Sequence, residues 1–365
     1  MGGPVGGRTR DPVRVLIVED STVVRQLLAH IVAQDPRLAL AGAVASAEEA
    51  LRDLRRIRPD VISMDIRLPG MDGLEATRRI MAEQPTPIVV VSDAVADSSL
   101  RISMNALRVG ALSVVEKPIG FSSRNYAAVA ETICTQLFIM SQVPVIRRRP
   151  IGQAEPAARP VTESAAMPQR HPSILGMAAS TGGPPALARI LGSLPADFPV
   201  PVLLVQHMGA PFMEGFASWL DGIVPMTVRI APEGERPLPG HVYVAPGDRH
   251  LVLSPAGTLR LLDEAPVGGQ RPSANLLFQS LARVAGPAAA GVLLTGMGED
   301  GAQGLTELRR AGGFTVAEHE STAVVYGMPA AAVRMGGVSV SLPLEMVASR
   351  LLRLVPAGAV RELRP

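Results

Sequence analysis

Short apolar runs rich in β-branched residues alternate with amphipathic stretches over the first 140 positions of the chain. The runs fall at 13–18, 39–44, 61–64, 88–91 and 112–115. Near-continuous apolar strands separated by helical patterns predict a sheet covered on both faces, hence an α/β fold with a doubly wound, five-stranded parallel sheet. The second predicted helix opens with a capping box, Ser46 and Glu49 three positions on, in which each side chain can satisfy the other's free backbone N–H.

A second series of apolar runs follows at 174–179, 202–205, 242–244, 251–253, 259–262, 291–294, 314–317 and 338–340, again interspersed with helical patterns. It predicts a larger three-layer α/β domain with a mostly parallel sheet. Between His241 and Leu262, the turns Pro246-Gly247-Asp248 and Pro255-Ala256-Gly257 read as an edge hairpin. Residues 141–172 carry six prolines and the run Arg147-Arg148-Arg149 without any sustained apolar period, which marks a linker. The expected organisation is a disordered extension at 1–11, a first domain at 12–140, the linker at 141–172, a second domain at 173–356 and a tail at 357–365.

Charge removes one class of function. The formal net charge is +2, but the excess sits in the linker, with five basic against two acidic residues; 1–140 is balanced and 173–365 has one more acid than base. Neither domain offers the clustered basic face that nucleic acid requires, so no nucleic-acid partner is expected. No apolar run is long enough to span a bilayer and no signal peptide opens the chain, so direct membrane insertion is not expected and a cytoplasmic location is. One cysteine, Cys134, excludes an intrachain disulfide framework.

In open parallel sheets functional groups collect where strands end at their carboxyl edge. In the first domain these positions hold Glu19 and Asp20, Asp65, Ser92, and Lys117. A single acid there is most often a turn or helix-cap residue. Three acids on one edge repel one another unless a hard divalent cation such as Mg2+ joins them. A hydroxyl and an ammonium beside a central Asp65 suit a phosphoryl group on that carboxylate. Lys117 sharpens this reading, because it is the one lysine among 35 basic residues, placed where a compact point charge is needed.

The second domain presents Ser180-Thr181-Gly182-Gly183-Pro184-Pro185 after its first strand, His207 after the second, and Asp300 before a later helix. A serine in a tight strand-to-helix turn is exposed beside backbone N–H groups and can act as a nucleophile. Ser-Thr-Gly-Gly could equally cradle a phosphate. His241 and His250 compete with His207 as base, and Asp300 could simply cap its helix. Together Ser180, His207 and Asp300 meet the requirements of nucleophile, base and orienting acid, in a chain order unlike those of the familiar hydrolases.

Two sets of motifs resemble known families. Val-Leu-Ile-Val-Glu-Asp-Ser (15–21), Met-Asp-Ile-Arg-Leu-Pro-Gly-Met-Asp-Gly (64–73) and Glu-Lys-Pro (116–118) resemble response-regulator receiver domains. That resemblance implies Asp65 as phosphoacceptor, Mg2+ held by Glu19, Asp20, Asp65 and the backbone carbonyl of Arg67, and phosphoryl contacts from Ser92 and Lys117. Val114 stands where the family usually has an aromatic residue.

Ala-Ser-Thr-Gly-Gly-Pro-Pro (179–185), Val-Gln-His-Met (205–208), Val-Tyr-Val-Ala-Pro-Gly-Asp-Arg-His (242–250), Leu-Thr-Gly-Met-Gly-Glu-Asp-Gly (294–301) and Val-Val-Tyr-Gly-Met-Pro (324–329) extend the resemblance to nearly the whole chain. It resembles the chemotaxis response-regulator protein-glutamate methylesterases. The resemblance implies a serine esterase with the triad Ser180, His207 and Asp300, an oxyanion hole from the N–H groups of Thr181 and Met297, and no cofactor for the esterase reaction. It implies methyl-accepting chemoreceptors as substrate, glutamine deamidation as a related activity, and a histidine kinase as phosphodonor. Gln270 replaces the usual histidine before Arg271, and Asn275 stands where an acid is expected.

Overall fold

In the computed structural model, residues 11–92, 105–107, 109–118, 126–143 and 170–355 are described. The chain divides into two units, Met1–Gln153 and Ala154–Pro365. The expected tail lies outside the described residues, as do nearly all of the N-terminal extension and most of the linker.

The first unit runs β1 (Val13–Val18), α1 (Thr22–Gln34), β2 (Leu38–Val44), α2 (Ala47–Ile57), β3 (Val61–Met64), α3 (Gly73–Glu83), β4 (Ile88–Ser92), β5 (Ser113–Glu116) and α4 (Tyr126–Met140). The five strands pair in the order β2-β1-β3-β4-β5, all parallel. β3 and β4 are buried at every position, as their unbroken apolar runs demand. The capping box at α2 forms with one change. The Glu49 N–H donates to Ser46 Oγ (3.2 Å), but the Glu49 carboxylate accepts from the Ala45 N–H (3.1 Å), one residue earlier than the reciprocal pattern expects.

The second unit runs β6 (Ile174–Ala179), α5 (Gly183–Leu191), β7 (Val202–Gln206), α6 (Met213–Asp221), β8 (Thr227–Ile230), β9 (His241–Val244), β10 (His250–Leu253), β11 (Leu259–Leu262), α7 (Ala274–Val284), β12 (Ala289–Leu293), α8 (Ala302–Arg310), β13 (Phe314–Glu318), α9 (Met328–Arg334), β14 (Val340–Leu342) and α10 (Leu344–Leu354). Seven strands form one parallel sheet in the order β14-β13-β12-β6-β7-β9-β8. Phe278, Leu281, Leu305, Leu308 and Met328 on the covering helices build the core on one face.

The hairpin differs from expectation. β10 and β11 do pair antiparallel, but as a separate two-stranded sheet, while β9 joins the large sheet as a parallel strand between β7 and β8. β9 cannot pair with β10, because the two strands belong to different sheets. β8, absent from the sequence reading, is short and polar at alternate positions, as suits an edge strand.

Both sheets reverse direction at one point. In the first unit the chain winds outward from β1 to β2, then returns to β3 on the other side of β1. In the second, it leaves β6 toward β7, β9 and β8, then returns to β12 on the other flank of β6. Connections diverge above such a point and leave a crevice at the carboxyl ends of the strands.

Candidate functional site

The crevice of the first unit lies above β1 and β3. Their next residues are Glu19-Asp20 and Asp65, and Glu19 and Asp65 are buried. Lys117, just past β5, reaches Glu19 Oε2 at 2.9 Å and Asp65 Oδ2 at 3.0 Å. Burial raises the Glu19 carboxyl above its ordinary value and Asp65 adds to this, against the pull of Lys117. The same burial opposes the ammonium charge, yet the two carboxylates hold Lys117 above its usual value.

One ammonium thus meets two of three clustered carboxylates, those of Glu19, Asp20 and Asp65, each of which offers an oxygen within 4.8 Å of the others. An all-oxygen, net-negative cluster of this size fits a hard divalent cation. Ser92 is buried as the last residue of β4, and its carbonyl accepts the Lys117 N–H (3.1 Å). The Arg67 N–H donates to Asp65 Oδ1 (3.2 Å), so the loop after β3 folds back on the central carboxylate.

In the second unit, the parallel ladder of β6 and β7 ends at the pair Ala179 and Gln206. The next residues on the two strands are Ser180 and His207, which therefore leave the sheet side by side. Ser180 enters a turn in which its carbonyl accepts the Gly183 N–H (2.8 Å), and Gly182 at φ 78° leads into α5. Pro184 and Pro185 open that helix, where a missing N–H costs nothing.

Asp300 lies in the connection from β12 to α8 and meets His207 at Nε2···Oδ2 2.9 Å. Burial pushes the Asp300 carboxyl up, but the His207 ring and the N–H groups of Ala274 and Asn275 hold it below the ordinary carboxylate value. An ionised Asp300 can only accept, so Nε2 carries the hydrogen and donates it in this bond, which leaves Nδ1 as the unprotonated ring atom. His207 Nδ1 is buried and has no hydrogen-bond partner among the described residues.

Asp300 also does cap a helix, but not the one that follows it. Its carboxylate accepts from Ser273 Oγ (2.8 Å), the Ala274 N–H (2.6 Å) and the Asn275 N–H (3.1 Å), closing the start of α7. In return, Asn275 Oδ1 accepts the N–H groups of Gly301 (3.0 Å) and Gly304 (2.8 Å) at the start of α8. The residue that departs from the family pattern thus keeps an acceptor where α8 needs one.

The loop 295–297 passes beside the serine. The Ser180 N–H donates to Thr295 O (3.0 Å), and a Cβ added at Gly296 would stand 2.7 Å from Ser180 Cβ. Thr295 is tied in turn to Glu318 Oε2 through its N–H (2.9 Å) and to Thr181 O through its hydroxyl (2.9 Å). Thr181 and Met297, the expected oxyanion donors, therefore sit on two loops cross-linked by Thr295.

The rival histidines are occupied elsewhere. His250 is buried with Nδ1 accepting the Ser273 N–H (3.0 Å) and Nε2 against Ala265 O (3.2 Å). His241 begins β9, at the amino end of the sheet, and stacks on Tyr243. Sequence reasoning missed Ser273, Thr295, Glu318 and Gln206, because no spacing rule links a residue to a partner brought in by a different strand or helix.

Comparison with known proteins agrees with both halves. A CheB methylesterase profile matches residues 175–351, and a response regulator receiver domain profile matches 15–125. A protein-glutamate methylesterase/protein-glutamine glutaminase of Paramagnetospirillum magneticum is 51% identical over 96% of this chain and 99% of its own length. One from Myxococcus xanthus is 47% identical over 93% and 96%. The CheB methylesterase catalytic domain of Thermotoga maritima, a crystal structure, is 36% identical, with TM-score 0.49 over 50% of this chain and 99% of that one. With such identity over nearly the full length of its relatives, the chain belongs to the CheB methylesterase family, as a member that carries a response regulator receiver domain ahead of its methylesterase domain.

Proposed function

We propose that this chain is a phosphorylation-activated protein-glutamate methylesterase that also deamidates glutamine, with Ser180, His207 and Asp300 as its triad. The observation that carries the reading is the His207–Asp300 bond, which leaves an unpaired ring nitrogen on the residue that exits the sheet next to Ser180. Ser180 Oγ attacks the ester carbonyl of a glutamate methyl ester as His207 takes its proton. The N–H groups of Thr181 and Met297 receive the oxyanion. The C–OCH3 bond then breaks, and methanol leaves with the proton from His207. The same ring next deprotonates water, which cleaves the Ser180 acyl ester and frees the glutamate carboxylate. Glutamine follows the same steps with ammonia as leaving group, and no cofactor enters this sequence.

In the receiver, Asp65 accepts the phosphoryl group. Mg2+ held by Glu19, Asp20, Asp65 and the Arg67 carbonyl would neutralise charge as the phosphate arrives. Ser92 and Lys117 contact the remaining phosphoryl oxygens. The two functional segments are 12–140 and 173–356. Methyl-accepting chemoreceptors are the substrates and a histidine kinase is the phosphodonor, which sets the reaction in the cytoplasm; among the described residues no helix is long and apolar enough to cross a membrane. Methanol release from methylated receptor is the test. It should rise when a small phosphodonor and Mg2+ are added, fail to rise in Asp65→Asn, and be lost in Ser180→Ala. Full release by Ser180→Ala would end the esterase assignment.

A further inference from the structure

The motif Val-Gln-His-Met contains a second polar residue that the triad leaves unused. Gln206 is 1% exposed, the last residue of β7, and paired with Ala179 at the end of the ladder. Its side-chain nitrogen donates to Ser180 O (2.9 Å) and to His207 O (2.9 Å). Both neighbours are carbonyls, so only the NH2 end of the amide can face them. The other end, Oε1, is buried without a hydrogen-bond partner among the described residues. It lies over the Gly182-Gly183 turn so closely that a Cβ on Gly183 would come within 2.1 Å of it.

From this arrangement we infer that Gln206 is a positioning residue for the esterase reaction, its one amide group clamping the main chain of nucleophile and base at a set spacing. Beyond Ala179 and Gln206 the two strands diverge into different loops. The backbone supplies one further link between the two strand ends, from the His207 N–H to Ala179 O (3.0 Å), while the Ser180 carbonyl is also held within its own turn by the Gly183 N–H (2.8 Å). The Gln206 NH2 group spans the carbonyls of Ser180 and His207. Its length matters as well as its polarity, because the amide must reach past its own strand end to the neighbouring turn. A simple buried polar residue would satisfy its own acceptor; here Oε1 goes unpaired while both donors are committed to the catalytic segments. Displacement of a catalytic group by about 1 Å can cost roughly 100-fold in rate, so the clamp acts on turnover rather than on substrate binding.

The inference rests on the triad proposed above, and its test separates the two. Full-length protein with phosphodonor would be assayed for methanol release from methylated receptor as Gln206→Leu, Gln206→Asn, His207→Ala and His207→Ala/Gln206→Leu. Leu has similar volume and no donor; Asn keeps a polar amide at the strand end but falls one methylene short of the two carbonyls. Both single Gln206 variants should lose about 10- to 100-fold in kcat with KM within about twofold of wild type, beside an unchanged circular dichroism spectrum. The double variant should be no slower than His207→Ala, because a clamp has no effect once the group it holds is gone. Wild-type kcat in either folded Gln206 variant, or a loss that multiplies with that of His207→Ala, overturns the inference. Full activity of His207→Ala would instead overturn the base assignment.

Discussion

The His207 side chain is largely covered and Glu318 is buried, both at the carboxyl edge of the sheet, and each has a different polar neighbour. At His207 the carboxylate of Asp300 fixes the N–H at Nε2 and so leaves Nδ1 able to accept a proton. Asp300→Asn removes the negative charge and lets the amide NH2 end turn toward Nε2, which favours the other tautomer. This variant should remain folded but turn over substantially more slowly, by at least 100-fold in single-turnover methanol release. Glu318 has no cationic partner among the described residues. Burial holds its carboxyl above the ordinary value of 4.5, although the Thr295 N–H pulls the other way. The folded state therefore keeps a proton that the unfolded chain has lost. Its contribution to stability is complete below pH 4.5 and is drained as pH rises through the folded value. Glu318→Gln keeps an acceptor for Thr295 without the charge. Thermal melts should show it more stable than wild type at pH 8, with the difference vanishing near pH 4.

Helix ends organise the site at the next scale. α7 and α8 each begin without a side-chain cap of their own, at Ser273 and Gly301. Each is closed by a residue at or just before the start of the other, Asp300 for α7 and Asn275 for α8. The exchange ties helix stability to the proposed triad, because the carboxylate that serves α7 is the one that bonds His207. A carboxylate at a helix N-terminus is also favoured by the helix dipole, in line with the lowered value of Asp300. Asn275→Ala leaves two N–H groups at the start of α8 without their acceptor. It should cost about 1–2 kcal/mol, within the range of lost caps, and lower the melting transition of the methylesterase domain. Turnover should fall in the same variant, whereas Ser349→Ala, on the exposed side of α10, should change neither. Calorimetry beside a methanol assay would check both.

For the molecule as a whole, two parallel sheets each place a site above the point where strand order reverses. One site carries a cluster suited to a divalent cation and phosphate, the other the serine, histidine and aspartate proposed as nucleophile, base and acid. Val114 bears on how the first signals. It is buried within β5 and paired with Val90, so it offers no ring to swing between inward and outward positions. Coupling through movement of the receiver's loops is the expected route. If the unphosphorylated receiver restrains the esterase, the fragment from Ser173 should release methanol faster than the unphosphorylated full chain. Adding phosphodonor and Mg2+ to the full chain should close the gap, and a bias of about 1.4 kcal/mol is enough for a tenfold change. Equal rates for all three would leave the receiver without an inhibitory role.

The sequence by itself determined the sheets and the chemistry at their edges. Unbroken apolar runs such as 61–64 and 202–205 admit little except buried parallel strands, and the polar residue that ends each run must then lie at the carboxyl edge. Strand pattern alone therefore located Asp65, Ser180 and His207. The sequence also carried motifs specific enough to place the family. Partners distant in the chain were decided only by the tertiary structure. His207 is the best placed of the histidines in the sequence, with His241 and His250 as competitors until the sheet order puts His241 at the amino end, His207 beside Ser180 and His250 under Ser273. Asp300 reads as a cap for the helix after it, yet packing of α7 against α8 gives that cap to α7 and supplies Asn275 in exchange. The hairpin was misplaced for the same reason, since turn residues signal a reversal but not which sheet each strand joins. Periodicity is a property of neighbours along the chain, whereas hydrogen bonds across 93 residues, such as that from His207 to Asp300, exist only once the second unit has closed around its sheet.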